Sequence, residues 1–303
     1  MSSLGALLLL AGGIVLVVAG AEWFFDGVVA AAERLRVSPF VITVALSGFE
    51  LENLAAGIAA DLKGLPGAAA GTFLGGTTFL ALGVAGAAGL IAPIRARLPA
   101  GVLVWTVVAP IPLIALSVDG RLSRLDGGLL VLWFAVALVG LARSGRFSPP
   151  AGVGVHRLWP LKLLAGLGLL TAGGELLGEG IQNVVRRLGV SDTLLGNTVI
   201  AAGVEAEEIA RSVVPARRQR GDLALANIAG TIVHFVALNA GVIALVKPLE
   251  LDHTTLYLHL PVAAGSVVVL CSLLAVLGGI ARPAAAALVA LYGAYIAAAV
   301  IAA

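Results

Sequence analysis

The sequence predicts an all-α membrane protein of ten transmembrane helices in two inverted five-helix repeats, and three observations carry that prediction. The first is composition. Of 303 residues, 60% are apolar and only 12% are charged, against about 25% charged in a soluble domain. Mean hydropathy is +1.06. Nineteen Lys and Arg and seventeen Asp and Glu cannot solvate the surface of so apolar a particle, which excludes a water-soluble globule, a disordered chain and a nucleic-acid binder. The second observation is the number of apolar runs long enough to cross a bilayer, and the third is an internal repeat.

The runs fall at about 4–31, 38–60, 67–92, 101–118, 127–143, 160–185, 193–215, 222–246, 257–279 and 284–302, where roughly 20 apolar residues make one span. The first run lacks the basic leader of a secretory signal and has a counterpart later in the chain, so it is read as a mature span. Pro110 and Pro112 should kink the fourth. Residues 144–158, opening Ser144-Gly-Arg-Phe-Ser-Pro-Pro, read as a linker between a first repeat, 1–143, and a second, 159–303. Cys271 is the only cysteine and lies in an apolar run; it reads as a small buried hydrophobe.

The halves repeat one another. Ala19-Gly-Ala-Glu22-Trp-Phe-Phe-Asp26-Gly27 matches Ala172-Gly-Gly-Glu175-Leu-Leu-Gly-Glu179-Gly180, and Arg34-Leu-Arg-Val-Ser38 matches Arg187-Leu-Gly-Val-Ser191. After a two-residue gap, Thr43-Val-Ala-Leu-Ser-Gly48-Phe-Glu50-Leu-Glu52-Asn53 lies on Thr198-Val-Ile-Ala-Ala-Gly203-Val-Glu205-Ala-Glu207-Glu208, and Thr72-Phe-Leu-Gly75 on Asn227-Ile-Ala-Gly230. An odd number of spans per half makes the second copy enter from the opposite side. Inverted repeats are the architecture of secondary transporters, with the substrate near the midplane.

Basic residues set the orientation. One set of loops carries Arg34, Arg36, Arg95, Arg97, Arg143, Arg146, Arg157, Lys162, Arg217, Arg218, Arg220 and Arg282; the other carries Lys63, Arg121, Arg124, Arg186, Arg187 and Lys247. Both termini are therefore expected outside and the linker in the cytoplasm, in a prokaryotic plasma membrane.

These segments resemble the alpha repeats of the cation/calcium exchanger superfamily, in length, order and topology. The resemblance rests on the Glu22 and Glu175 segments, the Val-Ser junctions, the Gly-centred acidic segments, and Ala226-Asn227-Ile-Ala-Gly230-Thr231 with its counterpart Gly71-Thr72-Phe-Leu-Gly75-Gly76. It implies that each acidic segment lines an ion site. The family pattern is Gly-Thr-Ser-x-Pro-Glu, in which hydroxyls serve sodium and the glutamate serves calcium. Here it reads Gly48-Phe49-Glu50-Leu51-Glu52-Asn53 and Gly203-Val204-Glu205-Ala206-Glu207-Glu208. Only Glu208 keeps the family's glutamate, and the sodium-type hydroxyls are gone. In the following helix the family's Asn or Asp falls on Leu80 and Phe235.

The residues carry their own argument. A carboxylate mid-span costs about 2.5–3.5 kcal/mol on insertion scales, so it must face a partner or a water-filled cavity. Glu50 and Asn53 share one helix face, and Glu205 and Glu208 share another. Together they offer three carboxylates and an amide oxygen, a hard ligand set suited to Ca2+, Mn2+ or Mg2+. Solvation at helix ends is the alternative, opposed by their position ten to sixteen residues into each span. Thr72, Asn227 and Thr231 lie on the faces that match the family's site lining. Glu52 and Glu207 lie off the ligand face: Arg211, one turn after Glu207, can neutralise it or act as a tethered cation, while Glu52 has no aligned Arg and is free to titrate. His234 reads as a hydrogen-bonded packing residue or a proton carrier. Glu22, Asp26, Glu175 and Glu179 read as interfacial or gating groups.

The expected function is an alternating-access antiporter exchanging a divalent cation for protons, because carboxylates that hold an ion when ionised release it when protonated. Sodium-coupled exchange, and a non-transporting ion sensor with the same fold, are the alternatives. No Ser/His or Cys/His pairing recurs on a span, so no enzyme and no cofactor is expected. The partners are inorganic cations and the bilayer.

Overall fold

The computed structural model describes residues 3–47, 51–145, 158–187 and 206–302. Two of the predicted ligands, Glu50 and Glu205, and most of the linker lie outside the described residues. Apart from short β pairs, the elements are helical. Among the described residues, seven helices are long and apolar enough to cross a membrane: Gly5–Leu35, Pro66–Ile91, Arg124–Ser144, Trp159–Ile181, Gly221–Val246, Thr255–Leu277 and Arg282–Ile301. The other three predicted runs are shorter or interrupted among the described residues. The second is α2 (Pro39–Leu46) and α3 (Leu51–Leu62) around residues 48–50. The fourth breaks into α6 (Ala100–Val108) and α7 (Ile111–Leu116) at the two prolines, where the Trp133 indole N–H donates to the Ala109 carbonyl at 3.0 Å. The seventh is described from Ala206 onward.

Helix α1 (Ser3–Leu35) is 33 residues long, about 50 Å at 1.5 Å per residue. It ends where Arg36 takes a positive φ of 56°. Ser38 then caps α2, accepting from the Phe40 N–H at 3.2 Å, and Pro39 follows at the first helical position. Helix α1 packs along α9 (Trp159–Arg187) through facing glycines. A Cβ on Gly20 would sit 2.7 Å from the Leu170 nitrogen, and one on Gly173 would sit 2.7 Å from the Val17 nitrogen, so the two backbones touch directly.

Two spans are the most buried of the seven. The first joins α4 (Pro66–Thr78), a π-helical segment Phe79–Val84 and α5 (Ala85–Ile91). The second joins α11 (Gly221–Val233), a π-helical segment His234–Asn239 and α12 (Ala240–Val246). The pieces have the same lengths, 13, 6 and 7 residues, in the register that aligns Thr72 with Asn227. They run antiparallel: Gly221 approaches the Arg95 carbonyl just beyond α5. They also interlock, since a Cβ on Gly76 would fall 2.4 Å from the Phe235 ring. Phe235, the residue aligned with Leu80, is thus an aromatic ring seated in a glycine notch.

The flanking ribbons are exchanged between halves. Strand β1 (Ile94–Arg95), after the first buried span, pairs with β4 (Gly279–Ile280), before the last helix, α14 (Arg282–Ala302). Strand β3 (Leu249–Glu250), after the second buried span, pairs with β2 (Arg121–Leu122), before α8 (Arg124–Ser144). The lipid-length helix α13 (Leu260–Leu277) completes the bundle, with a left-handed Gly278 at its end.

Candidate functional site

The site forms where α10 (Ala206–Arg217), α11 and the C-terminal end of α2 meet. Helix α2 spans only eight residues, so the Ser47 carbonyl is delivered into the interior rather than to a surface. That approach needs Gly230: a Cβ there would lie 2.9 Å from Val44 Cα. The Ser47 carbonyl accepts from Arg211 Nη1 at 3.2 Å and from the Thr231 hydroxyl at 3.0 Å. A backbone oxygen thereby joins the site.

Arg211 is the centre of the cluster. Its Nη1 donates to Glu208 Oε1 at 2.7 Å, and its Nη2 lies 3.3 Å from Glu207 Oε2. The second contact is an ion pair without hydrogen-bond alignment. Arg211 thus contacts both carboxylates within one turn before it: the three-residue spacing brings Glu208 into hydrogen-bond alignment and the four-residue spacing leaves Glu207 offset. Side-chain exposure is 1% for Arg211, 0% for Glu208 and 6% for Glu207, so the group is desolvated. The guanidinium carbon also lies 5.5 Å from the centre of the Phe24 ring of α1, within cation–π range.

Glu208 is doubly held. Its other oxygen, Oε2, accepts from Asn227 Nδ2 at 2.5 Å; because a carboxylate only accepts, the amide orientation is fixed. Asn227 Oδ1 is then buried and without a hydrogen-bond donor among the described residues, an oxygen suited to a cation. Thr231 shares its hydroxyl proton between the Ser47 and Asn227 carbonyls, both at 3.0 Å. The structure therefore brings together Glu207, Glu208, Arg211, Asn227 and Thr231. A cavity of about 10 Å³, lined by Phe24, Phe25, Thr43, Arg211, Leu223 and Asn227 among others, adjoins them, and a volume of roughly 10–15 Å³ holds at most one water.

The other predicted residues lie around this cluster. Asn53 is half-buried in the first turns of α3. Glu52, which has no aligned Arg, lies near the Thr171 side chain of α9 and in the field of Arg211. Thr72 donates back to the Ala69 carbonyl at 2.7 Å and faces α3 where Gly57 leaves room. His234 Nδ1 contacts the Gly230 carbonyl at 2.8 Å, and its ring stands edge-on to Phe134 at 4.6 Å. The carbonyl only accepts, so the proton is on Nδ1.

Two further ion clusters close the ends. Arg218, just past α10, pairs with Glu22 and with Asp26 of α1, the latter at 2.8 Å, while Lys162 of α9 reaches Asp26 at 3.5 Å. Glu22 and Asp26 are thus tied to another helix rather than merely solvated. At the opposite end Lys247 pairs with the buried Asp61 at 3.6 Å, and Arg124 donates to the Leu245 and Val246 carbonyls at 3.2 Å, a cationic cap on α12. Sequence reasoning missed Ser47, Phe24 and the Arg218 cluster. For Arg218 the signal was present: a basic residue one turn beyond a span whose partner span carries Glu22 and Asp26.

Carboxylates and a guanidinium gathered in the dry interior of an apolar bundle, at a helix end that opens toward them, are the features of a membrane ion transporter. The sodium/calcium exchanger protein family matches residues 5–142 and 159–301; the chain belongs to this family, which comprises exchangers and not enzymes. It is 28% identical over 265 residues to the putative antiporter CaxA of Alkalimonas amylolytica, covering 79% of this chain and 80% of that one. To the inner membrane protein YrbG of Escherichia coli it is 27% identical over 271 residues, covering 80% and 81%. The solved sodium-calcium exchanger NCX_Mj, soaked with zero Na+ and Ca2+, superposes with a TM-score of 0.83 at 24% identity over 98% of this chain and 99% of that one. This likeness establishes the fold.

Proposed function

We propose that this exchanger moves a divalent cation, Ca2+ first and Mn2+ or Mg2+ as other hard ions, against protons by alternating access. The observation that carries the reading is Glu208, a fully buried carboxylate hydrogen bonded to Asn227 beside the charge of Glu207. Glu50, Asn53 and Glu205 complete its centre in this reading, with Thr72 and Thr231 as further oxygen donors. Carboxylates bind a hard ion when ionised and release it on protonation, which couples the two without hydroxyl sodium sites.

Ten spans in two inverted repeats, both termini outside a prokaryotic plasma membrane, are the frame of the proposal. The equal three-part division of the two buried spans and the exchanged ribbons support it. Sodium coupling is the second reading, favoured by the match to an exchanger soaked with Na+ and Sr2+.

Flux into proteoliposomes decides between them. An imposed pH gradient should drive Ca2+ uptake in sodium-free medium, with apparent affinity falling as pH drops. Transport that requires sodium and ignores pH would select the second reading, and binding without flux would make the protein a sensor.

A further inference from the structure

We propose that the Arg211 guanidinium is a resident counter-cation of the transport site, so that a metal ion binds only by displacing it from Glu208. The inference rests on the cation-exchange reading and adds a residue that sets affinity and coupling. Its basis is geometric. The guanidinium touches the oxygens a cation would use: Glu208 Oε1 at 2.7 Å, the Ser47 carbonyl at 3.2 Å and Glu207 Oε2 at 3.3 Å. Asn227, on the far side of Glu208, still has Oδ1 without a donor among the described residues. The ligand set is therefore assembled and already occupied by a positive charge.

Space enforces the competition. The adjoining cavity of about 10 Å³ holds at most one water, so it has no room for a hydrated ion beside the guanidinium, which already takes the oxygens a bare ion would need. Phe24 packs on the guanidinium at 5.5 Å and holds it against the carboxylates. A cation arriving at Glu208 must therefore move Arg211, whose three-methylene stem allows the head to withdraw while its backbone stays in α10. Glu52, within the electrostatic reach of Arg211, gives the displaced charge a carboxylate on the α3 side.

The energetic consequence concerns the empty transporter. Two bare buried carboxylates would oppose any movement through a dry interior. With the guanidinium in place the emptied site is partly neutralised and can reorient with fewer counter-ions. A site occupied by its own cation for most of the time also binds an added ion more weakly, in proportion to the vacant fraction.

The test compares purified wild type with Arg211→Gln, Arg211→Lys and the double variant Arg211→Gln with Glu207→Gln, which keeps Glu208 and removes one of the charges that Arg211 balanced. Calcium affinity is measured by calorimetry, and Ca2+/Ca2+ self-exchange and net Ca2+ uptake in proteoliposomes. Removing the competitor should tighten the Ca2+ Kd about tenfold or more; Arg211→Lys should remain near wild type. Self-exchange should persist in Arg211→Gln while net uptake slows about tenfold, because only net uptake needs the empty site to return. A folded Arg211→Gln with unchanged or weaker affinity overturns the proposal; where that variant does not fold, the double variant is compared with Glu207→Gln alone, which lacks the same oxygen, and affinity no tighter than in that single variant overturns it. Wild type that neither binds nor moves a cation refutes the exchange reading itself and the proposal with it.

Discussion

A guanidinium whose side chain is 1% exposed and faces two carboxylates is bound to them by necessity, because a lone buried charge is far costlier than a paired one. Truncating one partner of such a pair typically costs about 3–5 kcal/mol. Arg211→Ala should therefore lower the melting temperature sharply. The hydrogen bond to Glu208 and the offset contact to Glu207 make a finer prediction: in double-mutant cycles read by thermal unfolding, the coupling of Arg211 to Glu208 should exceed its coupling to Glu207. Equal couplings, or an unchanged melting temperature in Arg211→Ala, would contradict the geometry. At this scale the sequence displayed the charges and their spacing, and with them the choice between two partners three and four residues back. It did not display the Ser47 carbonyl, because every residue has a carbonyl and only the end of α2 turns this one into a ligand. Nor did it display the approach of Glu52 to Arg211 and Thr171, which are distant from it in sequence.

Among the elements, the closest approach is between α1 and α9. Gly13, Gly20 and Gly27 on one and Gly166, Gly173 and Gly180 on the other recur every seven residues, and Cβ atoms on Gly20 and Gly166 would come within 2.7 and 2.4 Å of backbone nitrogens. In a bilayer, where apolar burial between helices gains little, backbone contact through small residues supplies the association. Gly20→Val should cost about 1–3 kcal/mol by overpacking. Gly12→Ala, one helix face away with no atom within 4 Å of the added carbon, should be neutral or slightly stabilising. Thermal unfolding in detergent checks the contrast; equal losses in both would mean that the helices are not packed as described. The partners of these glycines were not legible in the sequence, since repeat alignment pairs equivalent positions and this interface joins antiparallel ones. The breaks were partly legible. Pro110 and Pro112 announced the interruption of the fourth run, whereas the π-helical segments Phe79–Val84 and His234–Asn239 carry no proline and depend on tertiary packing.

For the whole molecule, the exchanged ribbons constrain how the halves sit in a bilayer. The buried spans run antiparallel, so β1 and β3, which follow them, emerge at opposite ends, and each ribbon staples one half to the other there. The charges differ between the two ends. The β1–β4 end has exposed Arg95 and Arg97 with Arg282 close by, whose Nε donates to the Leu90 carbonyl. The β2–β3 end balances Arg121 with Glu250 at 3.3 Å. Because excess Lys and Arg stay in the cytoplasm, the β1–β4 end should face inward and the β2–β3 end outward. The chain suits cysteine labelling, because its single thiol, Cys271, is buried. In intact cells a membrane-impermeant maleimide should modify Lys63→Cys and Asp119→Cys, both exposed positions at the outward end. It should reach Arg95→Cys and Arg97→Cys only after permeabilisation. The reverse pattern would invert the orientation while keeping the two-ended architecture, whereas labelling of Asp119→Cys and Arg95→Cys from the same side would separate the ribbons from opposite membrane faces and overturn the proposed inverted arrangement of the halves.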